Sequence, residues 1–274
     1  MKVRVLSAGV GIVFAILILF FYESIVLNLA VSLICSIIVY EIFSATKMRV
    51  KSFIVFIVSE IFAIIFPFLK INQSLDLRLN VIIIYFIFLI LVLLKKYNVI
   101  KINELVFSAS FSVFVTFCIT NIIYIRDDFE PYSLYYILLL CLISWICDAG
   151  AYFIGVKFGK NKLTPEISPN KTVEGVIGGI ISVFLVMLIF NLTFFNLIYK
   201  NIQINFITLI LIICLGIVFS ILGDLVASVI KRQYNIKDFG NIMPGHGGFL
   251  DRFDSLILVF AISYPIISTY PIII

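Results

Sequence analysis

Charge is scarce in this sequence: Asp, Glu, Lys and Arg make up 13% of 274 residues, and 63% are hydrophobic. A water-soluble domain carries roughly 25% charged residues, so a soluble globular protein is excluded and an integral membrane protein is expected. The five cysteines, Cys35, Cys118, Cys141, Cys147 and Cys214, lie inside apolar runs with no CxxC spacing and no histidine beside them. That excludes a disulfide framework and a zinc site and leaves packing as their role. Histidine occurs once, at His246. Glycine is nearly missing from the first half: only Gly9 and Gly11 precede Gly150, and the other twelve fall between Gly150 and Gly248. Because glycine permits close backbone approach, the first five apolar segments read as scaffold and the chemistry is expected later. No internal repeat of fixed period is visible.

What the chain does have is apolar length. Crossing a hydrocarbon core takes about 20 residues as helix, and nine runs qualify, over 5–22, 25–43, 53–69, 79–94, 105–125, 132–153, 176–198, 204–230 and 255–273. They are continuous rather than alternating, so a membrane β-barrel is excluded and helices remain. The expected fold is therefore an all-α polytopic membrane protein of about nine transmembrane helices. The first run follows Lys2 and Arg4 as a signal peptide would, but no small-residue cleavage site follows, and a retained helix is expected. Of the 20 Lys and Arg residues, 16 lie at the N-terminus or in the loops after even-numbered segments, and only Lys70, Arg78, Arg126 and Lys200 lie opposite. By the positive-inside rule the N-terminus is cytoplasmic and nine crossings leave the C-terminus outside, together with the acidic loop Asp127, Asp128, Glu130. The same scatter of basic residues explains the net charge of +5 without nucleic acid. The organisation expected is a scaffold over 1–140 and a region carrying the chemistry over 141–274, with cytoplasmic loops 154–175 and 231–254.

Carboxylates at membrane depth cost at least a few kcal/mol and need a cation or a wet cavity. Asp148 and Asp224 stand near the cytoplasmic ends of apolar helices, and a structural ion pair with a loop lysine is the plainer account of either. Glu41 and Glu60, whose segments offer few other polar groups, read as structural. On a helix, Asp224, Ser228 and Lys231 recur at i, i+4 and i+7 and share a face. Asp251 and Asp254, three apart, begin the ninth segment, where a helix N-terminus favours negative charge. If the loop between folds back, Asp224 and Asp251 can share a hard cation, and magnesium suits one or two carboxylates plus substrate phosphates. The turn Pro244-Gly245-His246-Gly247-Gly248 offers backbone N–H groups for phosphate oxygens, flanked by Lys231, Arg232 and Lys237 before it and Arg252 after it. His246 is either a proton donor or a phosphate hydrogen-bonding group. In the loop 154–175, Ser168, Asn170, Lys171 and Thr172 could receive an anionic headgroup or a base; the alternative is an interfacial loop with lysines reaching lipid phosphates.

The order SxxKR, KD, PGHGG, DRxDS, here Ser228 to Arg232, Lys237-Asp238, Pro244 to Gly248 and Asp251 to Ser255, resembles the signature of the phosphatidate cytidylyltransferase (CDP-diacylglycerol synthase) family. The upstream DAGAYFIGVKFGKNKL and ISPNKTVEG are similar to that family's second block. The resemblance covers roughly 144–256; the first 140 residues match only as hydrophobic helices. Ala227 departs from an acidic residue and Ala149 from a Thr or Ser that many members carry.

The resemblance implies attack of a phosphatidic acid phosphate oxygen on the α-phosphorus of CTP, giving CDP-diacylglycerol and pyrophosphate at the cytoplasmic face of the cell (inner) membrane. It implies a divalent metal, Mg2+, on acidic residues matching Asp224 and Asp251, with Asp148, Asp238 and Asp254 as further ligands or orienters; whether a monovalent cation joins it is left open. Lys231, Arg232, Lys237 and Arg252 would clamp phosphates, and Ser168, Asn170, Lys171, Thr172, Ser228, His246, Gly247 and Gly248 would line the substrate site. The partners implied are CTP, phosphatidic acid and membrane lipids; a homodimer is neither required nor excluded. Two other readings share these features. A CTP-dependent transferase or kinase on another lipid, such as a polyprenol, would differ in acceptor. An anion transporter would place polar groups at the midplane in an inverted repeat, and neither is seen.

Overall fold

The protein is described by a computed structural model, which covers residues 2–69, 75–195, 202–243, 245 and 247–274, with backbone alone at 2–8, 10, 12, 75 and 76. Its helices are α1 (Lys2–Phe20), α2 (Ile25–Ala45), α3 (Met48–Lys51), α4 (Phe53–Ile65), α5 (Leu75–Lys95), α6 (Ile102–Asp128), α7 (Ser133–Phe158), α8 (Val173–Thr193), α9 (Phe206–Gln233) and α10 (Leu250–Thr269). Apart from the four-residue α3, each falls on one of the nine apolar runs. Among the described residues six are long and apolar enough to cross a membrane: α2, α5, α6, α7, α8 and α9. The third run is shorter as a helix than as a sequence. Its 13 residues rise about 20 Å, and a 3-10 turn carrying Pro67 follows.

The chain folds as two compact units, residues 1–124 with 233–252, and residues 125–232 with 253–274. In the first, α2, α3 and α4 pack on one another through a line of polar contacts as well as apolar ones. Asn28 Nδ2 donates to Pro67 O at 2.9 Å, Ser32 Oγ to Ile64 O at 2.9 Å and Ser36 Oγ to Glu60 Oε2 at 2.6 Å. Ser108 of α6 donates to Thr46 Oγ1 at 2.9 Å, and Lys51 pairs with Glu104. Such groups keep partners where water is absent, which is the condition for polar side chains at membrane depth.

In the second unit α7 and α8 form the most extensive contact. The glycines Gly175, Gly178 and Gly179 are buried along it, so the late concentration of glycine does mark tight helix packing. All five cysteines are free, and Cys35, Cys118 and Cys147 are buried. The chain is mostly helical, as expected, and its one sheet among the described residues is small. Loop 154–175 holds an antiparallel hairpin, β1 (Lys162–Thr164) and β2 (Ser168–Thr172), pairing Lys162 with Thr172 and Thr164 with Ser168. Glu174 closes its base, accepting from Lys160 N at 3.0 Å, Asn161 N at 3.1 Å and Asn161 Nδ2 at 2.8 Å. Thr172 ends β2 and caps α8, its Oγ1 accepting from Gly175 N at 3.1 Å.

Candidate active site

Within the second unit the predicted face of α9 forms, and it meets a lysine from the hairpin. Lys171 Nζ lies 2.7 Å from Asp224 Oδ2, both side chains partly exposed, and Ser228 Oγ donates to Asp224 Oδ1 at 3.4 Å. The ion pair raised for Asp224 in the plainer reading is thus present, and its partner comes from the second polar block. Arg232 Nε donates to Ile167 O at 3.2 Å, so the hairpin turn is tied to the end of α9 as well. Ser168, Asn170 and Lys171 stay accessible on β2, whereas Thr172 is buried and spends its hydroxyl on the cap.

Asp254 and Asp148 belong to the same cluster. Helix α9 approaches α10 at Gly223, where a Cβ would lie 2.3 Å from Asp254 O; no larger residue fits that crossing. Ser255 N donates to Asp254 Oδ1 at 2.8 Å, and Ser255 Oγ donates to Asp148 Oδ2 at 3.0 Å while accepting from Ser144 Oγ at 2.9 Å. Burial pushes the Asp254 carboxyl up to about 7, the negative charge of Asp224 adds to the push, and Ser255 N–H and Lys231 oppose it, with Asp148 adding again. Burial thus disfavours the charged form of Asp254 first, and the neighbouring carboxylates add to it.

Asp251 and Asp238 lie in the first unit. Asp251 Oδ2 accepts from Phe239 N at 2.9 Å and from Gly248 N at 3.0 Å. Asp238 Oδ1 and Asp251 Oδ2 both face Gly247, 3.3 and 3.1 Å from where its Cβ would stand. Gly247 has φ +85° and Gly245 φ +79°, and Met243 pairs with Gly247 across the turn, donating at 3.1 Å. The Gly248 amide is therefore directed to Asp251. Lys237 and Arg252 are exposed. Pro244 and His246 lie outside the described residues.

Glu41 has a larger part than its sequence context suggested. From α2, its Oε1 accepts from Phe249 N and its Oε2 from Leu250 N, both at 2.9 Å. Its only sequence signal was the cost of burying a carboxylate in an apolar helix. Ser255 was also missed as a contributor, although its place in the DRxDS block marked it. Among the described residues no group of three or more His, Cys, Asp or Glu side chains is arranged to hold a metal by itself.

A polytopic helical membrane protein with carboxylates and basic residues on its helices and in the hairpin and loops between them is thereby defined. A model of the Cytidylyltransferase family matches residues 2–270, and the chain belongs to that family. The phosphatidate cytidylyltransferase of Bacillus subtilis (strain 168) is 43% identical over 173 residues, 63% of this chain and 62% of that protein. Those of Staphylococcus haemolyticus (strain JCSC1435) and Staphylococcus saprophyticus are 39% and 40% identical over 173 residues, in each case 61% of this chain and 62% of theirs. The chain thus aligns with less than two thirds of the length of these relatives.

Proposed function

We propose that this protein transfers a cytidylyl group from CTP to phosphatidic acid, forming CDP-diacylglycerol and pyrophosphate. The observation that carries the reading is the family match over 2–270, and the names of the relatives give the acceptor. A phosphate oxygen of the lipid attacks the α-phosphorus of CTP, the bond to the bridging oxygen breaks, and its electron pair leaves with pyrophosphate. The attacking phosphate is already ionised, so no strong base is needed. Lys231, Arg232, Lys237 and Arg252 offset charge on the phosphates as it shifts to the leaving group. Lys171 exchanges its pairing with Asp224 for a substrate phosphate, a small cost for a partly exposed pair. Ser168, Asn170 and Ser228 supply hydrogen bonds around it.

The donor set fits magnesium, which binds by one or two carboxylates and leaves its other positions to water and phosphate oxygens. As the resemblance implies, Asp224 and Asp251 would hold it, with Asp148, Asp238 and Asp254 as further ligands or orienters. Bound there, it supplies positive charge against the triphosphate. Nine crossings, a cytoplasmic N-terminus, an external C-terminus and a cytoplasm-facing site in the cell membrane complete the reading, supported by a helix on each of the nine apolar runs and by the distribution of basic residues. In the same reading residues 141–274 carry the chemistry on the scaffold of 1–140.

The test is transfer of label from α-32P-CTP into the lipid phase by detergent-purified protein, with phosphatidic acid and polyprenol as separate acceptors. Labelled CDP-diacylglycerol with phosphatidic acid is the expected outcome; labelling of polyprenol alone would replace the acceptor.

A further inference from the structure

Resting on this reading of the site, we propose that Glu41 is a positioning residue for the reaction. From α2 it sets the backbone of the glycine-rich loop and the start of α10. Glu41 is 1% exposed, and among the described residues no other Asp or Glu is buried to that degree. Such a carboxylate is tolerated only with strong partners, and both its oxygens have one: Phe249 N and Leu250 N.

The loop is shaped around that carboxylate. A Cβ at Gly240 would stand 2.5 Å from Glu41 Oε1, and a Cβ at Gly248 would stand 2.6 Å from both of its oxygens. Two glycines separated by seven residues thus touch one buried side chain. A side chain at either position would have to displace the Glu41 carboxylate.

The consequence reaches the residues assigned to chemistry. Three successive amides, of Gly248, Phe249 and Leu250, donate to Asp251, Glu41 and Glu41. The N–H groups that begin α10 are therefore directed to carboxylates of the protein. This fixes the helix start at Leu250, and with it the direction in which Asp251 and Arg252 leave the first turn. Glu41 acts through that geometry and touches no reacting atom in this account.

Glu41→Gln tests it. The amide keeps the shape but turns one acceptor into a donor facing a backbone N–H, while Glu60→Gln, whose carboxylate meets Ser36 instead, serves as the control. Two readouts apply: kcat and KM for CDP-lipid formation, and hydrogen–deuterium exchange over residues 239–252. Glu41→Gln is expected to speed exchange at Phe249 and Leu250 by roughly 10-fold, as loss of a charge-assisted hydrogen bond implies. It is expected to lower kcat about 10- to 100-fold, the size of a small misplacement at a reacting site, with KM for phosphatidic acid within about twofold. Glu60→Gln is expected to change neither. Unchanged exchange, or unchanged kcat, in folded Glu41→Gln would overturn the proposal. If that variant does not fold, Gly240→Ala presses on the same carboxylate from the loop side, and wild-type exchange and kcat there would overturn it equally. Wild-type protein that makes no CDP-lipid would instead remove the activity reading, and the exchange data would still decide whether Glu41 holds the loop.

Discussion

Asp224 and Asp251 look alike in the sequence, one carboxylate on each side of a glycine-rich loop, yet they are held in opposite ways. Asp224 faces a side-chain cation, Lys171, across a partly exposed 2.7 Å contact. Asp251 faces the backbone, with amides of Phe239 and Gly248 on one oxygen. A side-chain pair can trade partners with a substrate or metal at little cost, whereas a carboxylate that organises amides is tied to the shape of its loop. The first is suited to exchange during a reaction and the second to pre-organisation.

Substitutions should separate the two roles. Asp224→Asn is expected to have the largest effect, a loss of roughly 100- to 1000-fold in kcat, as when a group stabilising charge in the transition state is removed. Exchange over 239–252 and elution of the folded protein in detergent should not change. Asp251→Asn should lower kcat by about 10- to 100-fold and also speed exchange at Phe239 and Gly248; a loss of activity with unchanged exchange there would break the contrast. For Lys171→Ala the expected change is about 10-fold in kcat/KM, mostly through KM, since it removes a binding contact and leaves the metal dependence intact. The smallest effect belongs to Thr172→Ala, which loses a helix cap worth about 1 kcal/mol. A thermal shift in detergent should fall while kcat stays within about twofold.

The helices were legible because apolar length survives any detail of packing, and each of the nine runs contains one. Their ends were less so. The ninth apolar run begins at 255, whereas α10 starts at Leu250, next to the Asp251 that the sequence places at a helix N-terminus, and Glu41 and Asp251 accept from amides there. The hairpin over Lys162–Thr172 has the sequence of a loop: its strands are short, and SPNKT lacks alternation of apolar and polar residues. Its closing group, Glu174, lies beyond the strands on α8. The face Asp224, Ser228, Lys231 was readable because it is local to one helix. Glu41 was not, since its partners are backbone groups 208 and 209 residues away, and no side-chain pattern records them.

The account as a whole depends most directly on one reaction. Purified protein given CTP and phosphatidic acid should release pyrophosphate in equal amount to CDP-diacylglycerol, and should do so only with magnesium present. Folded protein that releases none with phosphatidic acid, or releases it equally after chelation of all divalent metal, would contradict it.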